Sequence, residues 1–257
     1  MRRFFLAVTA VISLIVVFIL AGLVLYPPLP ALIVSLASPE IRFAIILSIV
    51  TSTISTAICV ALAIPVAYAL ARYRFPFRNA VNLALTLPLA LPPLVAGIAL
   101  LIFFGTTTWG KMLDAMGFAV VFSPIGIVIA EVFVNLPYMI RILKSSFAAI
   151  NPRYENVAKT LGCTETGAFL QVTLPLSRPG LIAGTSITWA KSMGEFGAVL
   201  MLAGATTMRT ETLPIALYLN LSIGDLDLAI AAAVILIIVS LGALCIVEYF
   251  YQETHVF

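Results

Sequence analysis

Apolar residues in this chain gather into six long runs separated by short polar breaks, over about 4–26, 43–71, 81–104, 124–140, 179–203 and 228–250. A run of about 18 or more apolar residues is long enough to cross a bilayer as a helix. None of the runs alternates every second residue, as the strands of a membrane barrel would. The pattern therefore predicts an all-α polytopic membrane protein, a single transmembrane domain over 1–257 with six transmembrane helices. The run over 43–71 exceeds what a bilayer needs, so its helix tilts or projects. The pattern over 124–140 continues as helix toward Ala149. Arg2 and Arg3 precede the first run, and Ser35–Ala37 resembles a cleavage site, as in a secretory signal. A signal's apolar core is only about 7–15 residues long, so 4–26 is taken as a retained span. No segment repeats another, whereas many secondary carriers are built from inverted repeats.

Composition agrees with the pattern. The chain is 62% hydrophobic with mean hydropathy +1.16, and only 10% of it is charged, against about 25% in a soluble domain. The net charge of +3 says less than its placement. If the N-terminus lies inside, the inner segments hold ten cations: Arg2, Arg3, Arg72, Arg74, Arg78, Arg141, Lys144, Arg153, Lys159 and Arg178. The outer segments hold three: Arg42, Lys111 and Arg209. Lysine and arginine are retained on the cytoplasmic side, so N- and C-termini are expected to be cytoplasmic. Cys59, Cys163 and Cys245 have no metal-like spacing and are expected to be free thiols. The single histidine, His255, cannot make a metal site alone.

Between the fourth and fifth runs lies 151–176, NPRYENVAKTLGCTETGAFLQVTLPL, where polar and apolar residues mix. The charge bias places it in the cytoplasm. Asn151-Pro152 is a helix-start signal and Gly162 a stop. Tyr154, Val157, Ala158 and Leu161 fall on one helical face, with Arg153, Asn156, Lys159 and Thr160 on the others. A second short helix is expected from near Thr164 to before Pro175. Helices this short are marginal alone in water. This insert therefore either packs on its own bundle or serves as a knob for a soluble partner.

The spacing in this insert resembles the conserved cytoplasmic loop of permease subunits of binding-protein-dependent ABC importers. The family pattern is Glu-Ala-Ala, three residues, Gly, nine residues, Ile, one residue, Leu-Pro. Here Gly162, Val172, Leu174 and Pro175 keep the spacing. Asn156, Val157 and Ala158 take the Glu-Ala-Ala positions, with a carboxylate one residue earlier at Glu155. Two further stretches, WAKSMGEFGAVLMLAG (189–204) and MRTETLPIALYLNLSIGDLDLA (208–229), resemble the molybdate/tungstate branch, as does TLPLALPPLVAG (86–97). Sulfate permeases share the Gly-Glu-Phe-Gly region, so a sulfate or thiosulfate permease is the alternative.

The resemblance implies a type I ABC importer permease fold in a prokaryotic cell membrane. It implies a coupling helix over Arg153, Tyr154, Glu155, Asn156, Val157, Ala158, Lys159 and Leu161, framed by Gly162 and Leu174-Pro175. It also implies a homodimer, a cytoplasmic ATPase dimer that binds the ATP and magnesium, and an extracytoplasmic substrate-binding protein. On that reading the chain is a transport subunit with no catalysis and no cofactor of its own.

Several intramembrane residues invite two readings each. Lys191 and Glu195, four apart in the fifth run, could meet, as an ion pair that fixes packing or as a lining of the pathway. Glu131 and Asn135 form a similar pair in the fourth run, best explained by hydrogen bonding to a neighbouring helix. Pro88, Pro92 and Pro93 remove backbone donors from the third run, where Gly97 permits close approach. This helix is either a gate or merely bent to fit. Gly194 and Gly197 flank Glu195-Phe196 and could let the chain bend, with Phe196 a plug or a core aromatic. Gly180 and Gly184 are spaced for close helix contact. The helix expected from Pro214 to Leu221 either docks the binding protein or packs over the pore mouth.

GTTTWGKM (105–112) mimics a phosphate-binding loop but has Met112 where the motif needs Ser or Thr. A rival class, a proton-coupled secondary anion carrier using Lys191 and Glu195, lacks the expected repeat. No nucleophile–base set and no nucleic-acid motif is present in the sequence.

Overall fold

Serine caps start the two helices that pack most extensively on each other. Ser38 accepts from the Ile41 N–H at 3.3 Å ahead of Pro39, and Ser123 from the Gly126 N–H at 3.2 Å ahead of Pro124. Each pairs a capping oxygen with a proline whose missing N–H costs the first turn nothing. The computed structural model describes residues 1–254, where all regular structure is helical; His255 lies outside the described residues. The helices are α1 (Arg2–Leu25), α2 (Leu29–Leu36), α3 (Pro39–Arg72), α4 (Arg78–Thr86, extended by a 3-10 turn over Leu87–Ala90), α5 (Pro93–Thr106), α6 (Thr108–Ala115) and α7 (Pro124–Ala149). They continue with α8 (Arg153–Thr160), α9 (Glu165–Ala168), a π turn over Phe169–Thr173, α10 (Leu174–Leu176), α11 (Arg178–Met193), α12 (Gly197–Ala203), α13 (Leu213–Ile223) and α14 (Leu226–Thr254).

Among the described residues α1, α3, α7 and the Leu226–Cys245 part of α14 are long and apolar enough to cross a membrane. The α4–α5 pair makes a fifth crossing if its halves form one broken span. Two of the six expected spans are thus not continuous helices. The third breaks at Leu91–Pro92, and its halves meet at 112°. Consecutive prolines at 92 and 93 explain this: each lacks a donor, and the residue before a proline is driven out of the helical region. The fifth breaks at Gly194–Phe196, leaving α11 and α12 with 16 and 7 residues. The helix expected from Pro214 to Leu221 is present as α13, which packs on α14 and α3.

The 34 residues of α3 span about 51 Å at 1.5 Å each, beyond a hydrocarbon core of about 30 Å. A helix this long tilts or extends beyond the hydrocarbon, and Tyr68 and Arg72 lie in its last two turns. Its lower half packs on α7, where Cys59, Ala63, Ala67 and Leu70 meet Met139, Ile140, Leu143 and Phe147. Lipid tails are as apolar as these side chains, so close van der Waals fit and hydrogen bonds must hold the helices together. Small residues provide that fit. Gly180 and Gly184 of α11 lie against Ser146, Met139 and Ile142 of α7. The two broken spans interlock through glycines as well. A Cβ on Gly97 would come within 2.7 Å of Met201 Cβ and 2.8 Å of Ala198 Cα, and one on Gly197 within 2.9 Å of Pro93 Cβ.

This interlock gives a direct test. Gly97→Ala should lower the melting temperature in detergent, by the equivalent of about 1–3 kcal/mol expected for overpacking. Gly22→Ala on α1, where a Cβ meets nothing within 4 Å, should leave it unchanged. Equal melting of the two variants would show that the α5–α12 contact is not tight.

Candidate functional site

The insert folds as a knob at the C-terminal end of α3. Asn151 Oδ1 accepts the Arg153 N–H at 3.0 Å and opens α8. Gly162, at φ +96°, closes it. Thr164 caps the next turn by accepting the Gly167 N–H at 3.0 Å. The second short helix does not end before Pro175. A π turn over Phe169–Thr173 widens the backbone there, and helix resumes as α10 with Pro175 in its first turn. Residues in the first turn of a new segment need no N–H partner, which is why this proline is tolerated.

Glu155 fixes how the knob sits. It is 5% exposed and gathers three donors from two other elements. Arg72 Nε donates to Oε1 at 2.9 Å, Thr173 Oγ1 to Oε1 at 2.5 Å and Tyr68 Oη to Oε2 at 3.1 Å. Arg72 also donates through Nη2 to the Ile150 carbonyl at 2.9 Å. Tyr68 packs edge-on against Tyr73 and Phe147 and at a tilt against Phe169, so the ion pair has an aromatic wall. Burial pushes the Glu155 carboxyl up, but the Thr173 and Arg72 hydrogen bonds and the Arg72 charge outweigh it and hold the group below the ordinary carboxylate range.

With Glu155 turned inward, the apolar residues face out. Tyr154, Val157 and Leu161 are 58%, 57% and 81% exposed, and Ala158 is half-buried beside them. The apolar face predicted for this helix is real, and it does not pack on the protein's own bundle. Arg153 and Asn156 are exposed. Lys159 pairs with Glu165 at 3.0 Å on the surface, a contact that adds little stability in water. Leu174 and Pro175 are half-buried where the loop rejoins the bundle.

The gate candidates come together at the two helix breaks. Pro92 and Pro93 start α5, Gly97 lies one turn on, and Gly197 and Ala198 of α12 press against them. Glu195 and Lys191 do not pair. The α-helix ends at Met193, so the four-residue register between them is lost. Glu195 Oε1 instead accepts the Ala198 N–H at 3.1 Å, capping α12, while Lys191 Nζ sits 4.2 Å from the Tyr138 ring centroid as a cation–π contact. Gly194 is exposed at the break. Phe196 packs on Tyr218, centroids 5.4 Å apart, and on the core formed by α5, α7 and α12. Glu131 and Asn135 bond to neighbouring helices as expected: Thr51 Oγ1 donates to Glu131 Oε1 at 3.1 Å, and Asn135 Nδ2 to Ser192 Oγ at 3.0 Å. Residues 105–112 run from the end of α5 into α6, with Thr107 Oγ1 accepting the Gly110 N–H at 3.2 Å, which is not a phosphate loop. Among the described residues no cluster of three metal-ligating side chains occurs and the three cysteines are unbridged.

The sequence reading missed the partners of Glu155. Tyr68 and Arg72 stand one turn apart at the end of a helix too long for the bilayer, and that was the available signal for a contact beyond it. Thr173 carried none.

A helix bundle with four or five membrane-length segments and a two-helix loop with an outward apolar face has the make-up of a polytopic membrane protein of the importer-permease type. The chain belongs to the family of binding-protein-dependent transport system inner membrane components, whose profile matches residues 60–255. It is similar to the molybdenum transport system permease protein ModB of Mycobacterium tuberculosis, 41% identical over 151 residues, which cover 58% of this chain and 57% of that protein. It is also similar to the sulfate transport system permease protein CysW of Synechocystis, 34% identical over 165 residues, 64% of this chain and 60% of that one. These matches span less than two thirds of either relative. Its fold is that of a subunit in the crystal structure of a bacterial alginate ABC transporter, with TM-score 0.72 at 18% identity over 99% of this chain and 95% of that one.

Glu155 sets the prediction for this site. Glu155→Gln keeps the shape and removes the charge facing Arg72, and should expose 151–176 to proteolysis. Breaking a buried pair from one side typically costs about 3–5 kcal/mol. Because the folded carboxyl titrates below its unfolded value of 4.5, its stabilisation is present above that value and is lost as pH falls through the folded one. Limited proteolysis should therefore find the loop protected at neutral pH and at pH 5, and cut only in stronger acid. Cutting of the wild type at neutral pH, as fast as of the variant, would contradict the anchor.

Proposed function

We propose that this chain is the membrane-spanning subunit of an ATP-driven importer for molybdate or tungstate. Two copies enclose the pathway, a pair of ATPase subunits sits at the α8 end, and a substrate-binding protein delivers the oxyanion at the other. The observation that carries the reading is the outward apolar face of α8. Tyr154, Val157 and Leu161 are exposed on a short helix whose own anchor points the other way. An exposed apolar patch on an ordered element is a surface for a protein partner. Membership of the importer family supports an ATPase as that partner, and the molybdenum permease relatives support the substrate. Sulfate is the second reading, supported by sulfate permeases at 33–34% identity.

On this reading α8 lies in the cytoplasm, as do both termini, and the discontinuous third and fifth segments complete six crossings. ATP binding draws the two ATPase subunits together and moves each knob. The motion passes through Glu155 and Arg72 into α3, and reaches the breaks at Pro92–Pro93 and Gly194–Gly197. Lys191 supplies positive potential for a dianion, and Phe196 and Gly97 belong to the moving gate. The chain performs no chemistry on ATP or substrate; it converts its partner's motion into alternating access.

Reconstituted vesicles holding this chain, its ATPase and its binding protein test the proposal. Molybdate or tungstate uptake should require internal ATP and survive a protonophore. Val157→Asp with Leu161→Asp should abolish uptake, a loss of at least about tenfold from placing two charges in a desolvated interface, while melting stays at the wild-type value. Uptake driven by a proton gradient, or full uptake by the double variant, would refute the assignment. Gly162→Val should reduce uptake without unfolding the bundle, since its Cβ has open space but a β-branched residue at positive φ is strained.

A further inference from the structure

Among the buried oxygens that lack a hydrogen-bond partner, two belong to one helix: Glu131 Oε2 and Asn135 Oδ1. They belong to residues four apart on α7, and so stand on one helical face a single turn from each other. The other polar atom of each side chain is engaged, Glu131 Oε1 by Thr51 of α3 and Asn135 Nδ2 by Ser192 of α11. Both free atoms are acceptors. If Glu131 were ionised, two acceptors would share one helical face, with only the neutral Thr51 and Ser55 hydroxyls of α3 at the carboxylate. The charge would also be alone, because no lysine or arginine pairs with Glu131 among the described residues. Glu195, the other carboxylate in this region, turns to its own cap at Ala198. Burying an unpaired carboxylate is among the most costly arrangements available to a protein, more so at membrane depth.

One proton resolves all three defects, since a protonated carboxyl offers one O–H donor and keeps its acceptor capacity. We propose that Glu131 binds a proton as a neutral acid and donates it from Oε2 to Asn135 Oδ1. Thr51, Glu131, Asn135 and Ser192 then form one continuous hydrogen-bonded strut across α3, α7 and α11. Rotating the Asn135 amide would give Oε2 a donor, but it would leave the charge uncompensated. The strut joins the helix that carries the α8 anchor to the helix that leads into the α12 break. Glu131 is thus a positioning residue that holds three helices as one body. It works through hydrogen bonds and not through charge, and the proton stays in place whatever the importer carries.

Glutamine mimics the neutral acid, with an amide N–H to reach Asn135 and a carbonyl to receive Thr51. Glu131→Gln should therefore melt within a few degrees of wild type, while Glu131→Ala, which empties the strut, should melt well below both. The infrared spectrum of the purified wild-type chain at neutral pH should contain the carbonyl band of a protonated carboxyl that is missing from Glu131→Gln. These readouts need neither substrate nor ATPase, so they stand apart from the transport assignment. The proposal is overturned if the wild-type and Gln spectra are identical in that region. It is equally overturned if the Gln variant is as unstable as the Ala variant, or if sodium at constant ionic strength stabilises wild type but not Glu131→Gln, which would make the site a metal-ion site.

Discussion

The contact between Glu155 and Arg72 is the constraint on which the functional surface depends. A carboxylate buried at 5% exposure needs its partners in fixed places, and here they come from α3 and from the π turn. Once that side chain is fixed inward, helix periodicity decides the rest. At about 100° per residue, positions 154, 157 and 161 cluster about 125° away from position 155. The outward apolar face of α8 is therefore a geometric consequence of the inward anchor. The family's usual carboxylate one residue later is Asn156 here, and it lies on the exposed side. The charge at 155 and the missing charge at 156 thus belong to different surfaces, one toward the bundle and one toward whatever the knob meets.

The other organising feature is discontinuity. Helix breaks inside a membrane are tolerated only where protein satisfies the freed backbone. The break before α12 is satisfied by the Glu195 side chain, which takes the Ala198 N–H. The break before α5 is made of prolines that have no N–H to satisfy. Glycines at 97 and 197 then let the two short helices approach closely enough to brace each other. Weak points in two spans thus become one packed unit.

Much of this was legible in the sequence. Hydropathy runs located every long helix, and Asn151, Gly162 and Thr164 marked the turns of the knob because capping chemistry is local. Gly180 and Gly184 announced a close crossing, and one occurs. What failed to show was non-local or depended on continuity. Lys191 and Glu195 read as a pair only while the helix between them was assumed unbroken; Gly194 ends it, and each side chain finds another partner. The third run looked merely bent because apolarity does not register backbone direction. A 112° turn came from two adjacent prolines whose combined effect exceeds a kink. Glu155 was read only as a coupling-helix carboxylate beside Asn156, since its partners lie 83 residues earlier at Arg72 and 18 later at Thr173.

Crosslinking from the tip of the knob tests the central claim most directly. A cysteine at Leu161, introduced into the assembled transporter with the native cysteines replaced, should form an adduct with the ATPase subunit in high yield. A cysteine at Phe122, exposed near the opposite end of the bundle, should form none. Capture of the ATPase from position 161 alone is the predicted result. Failure of position 161 to trap it in an intact complex, or labelling of that cysteine by an impermeant reagent from outside the cell, would contradict the account.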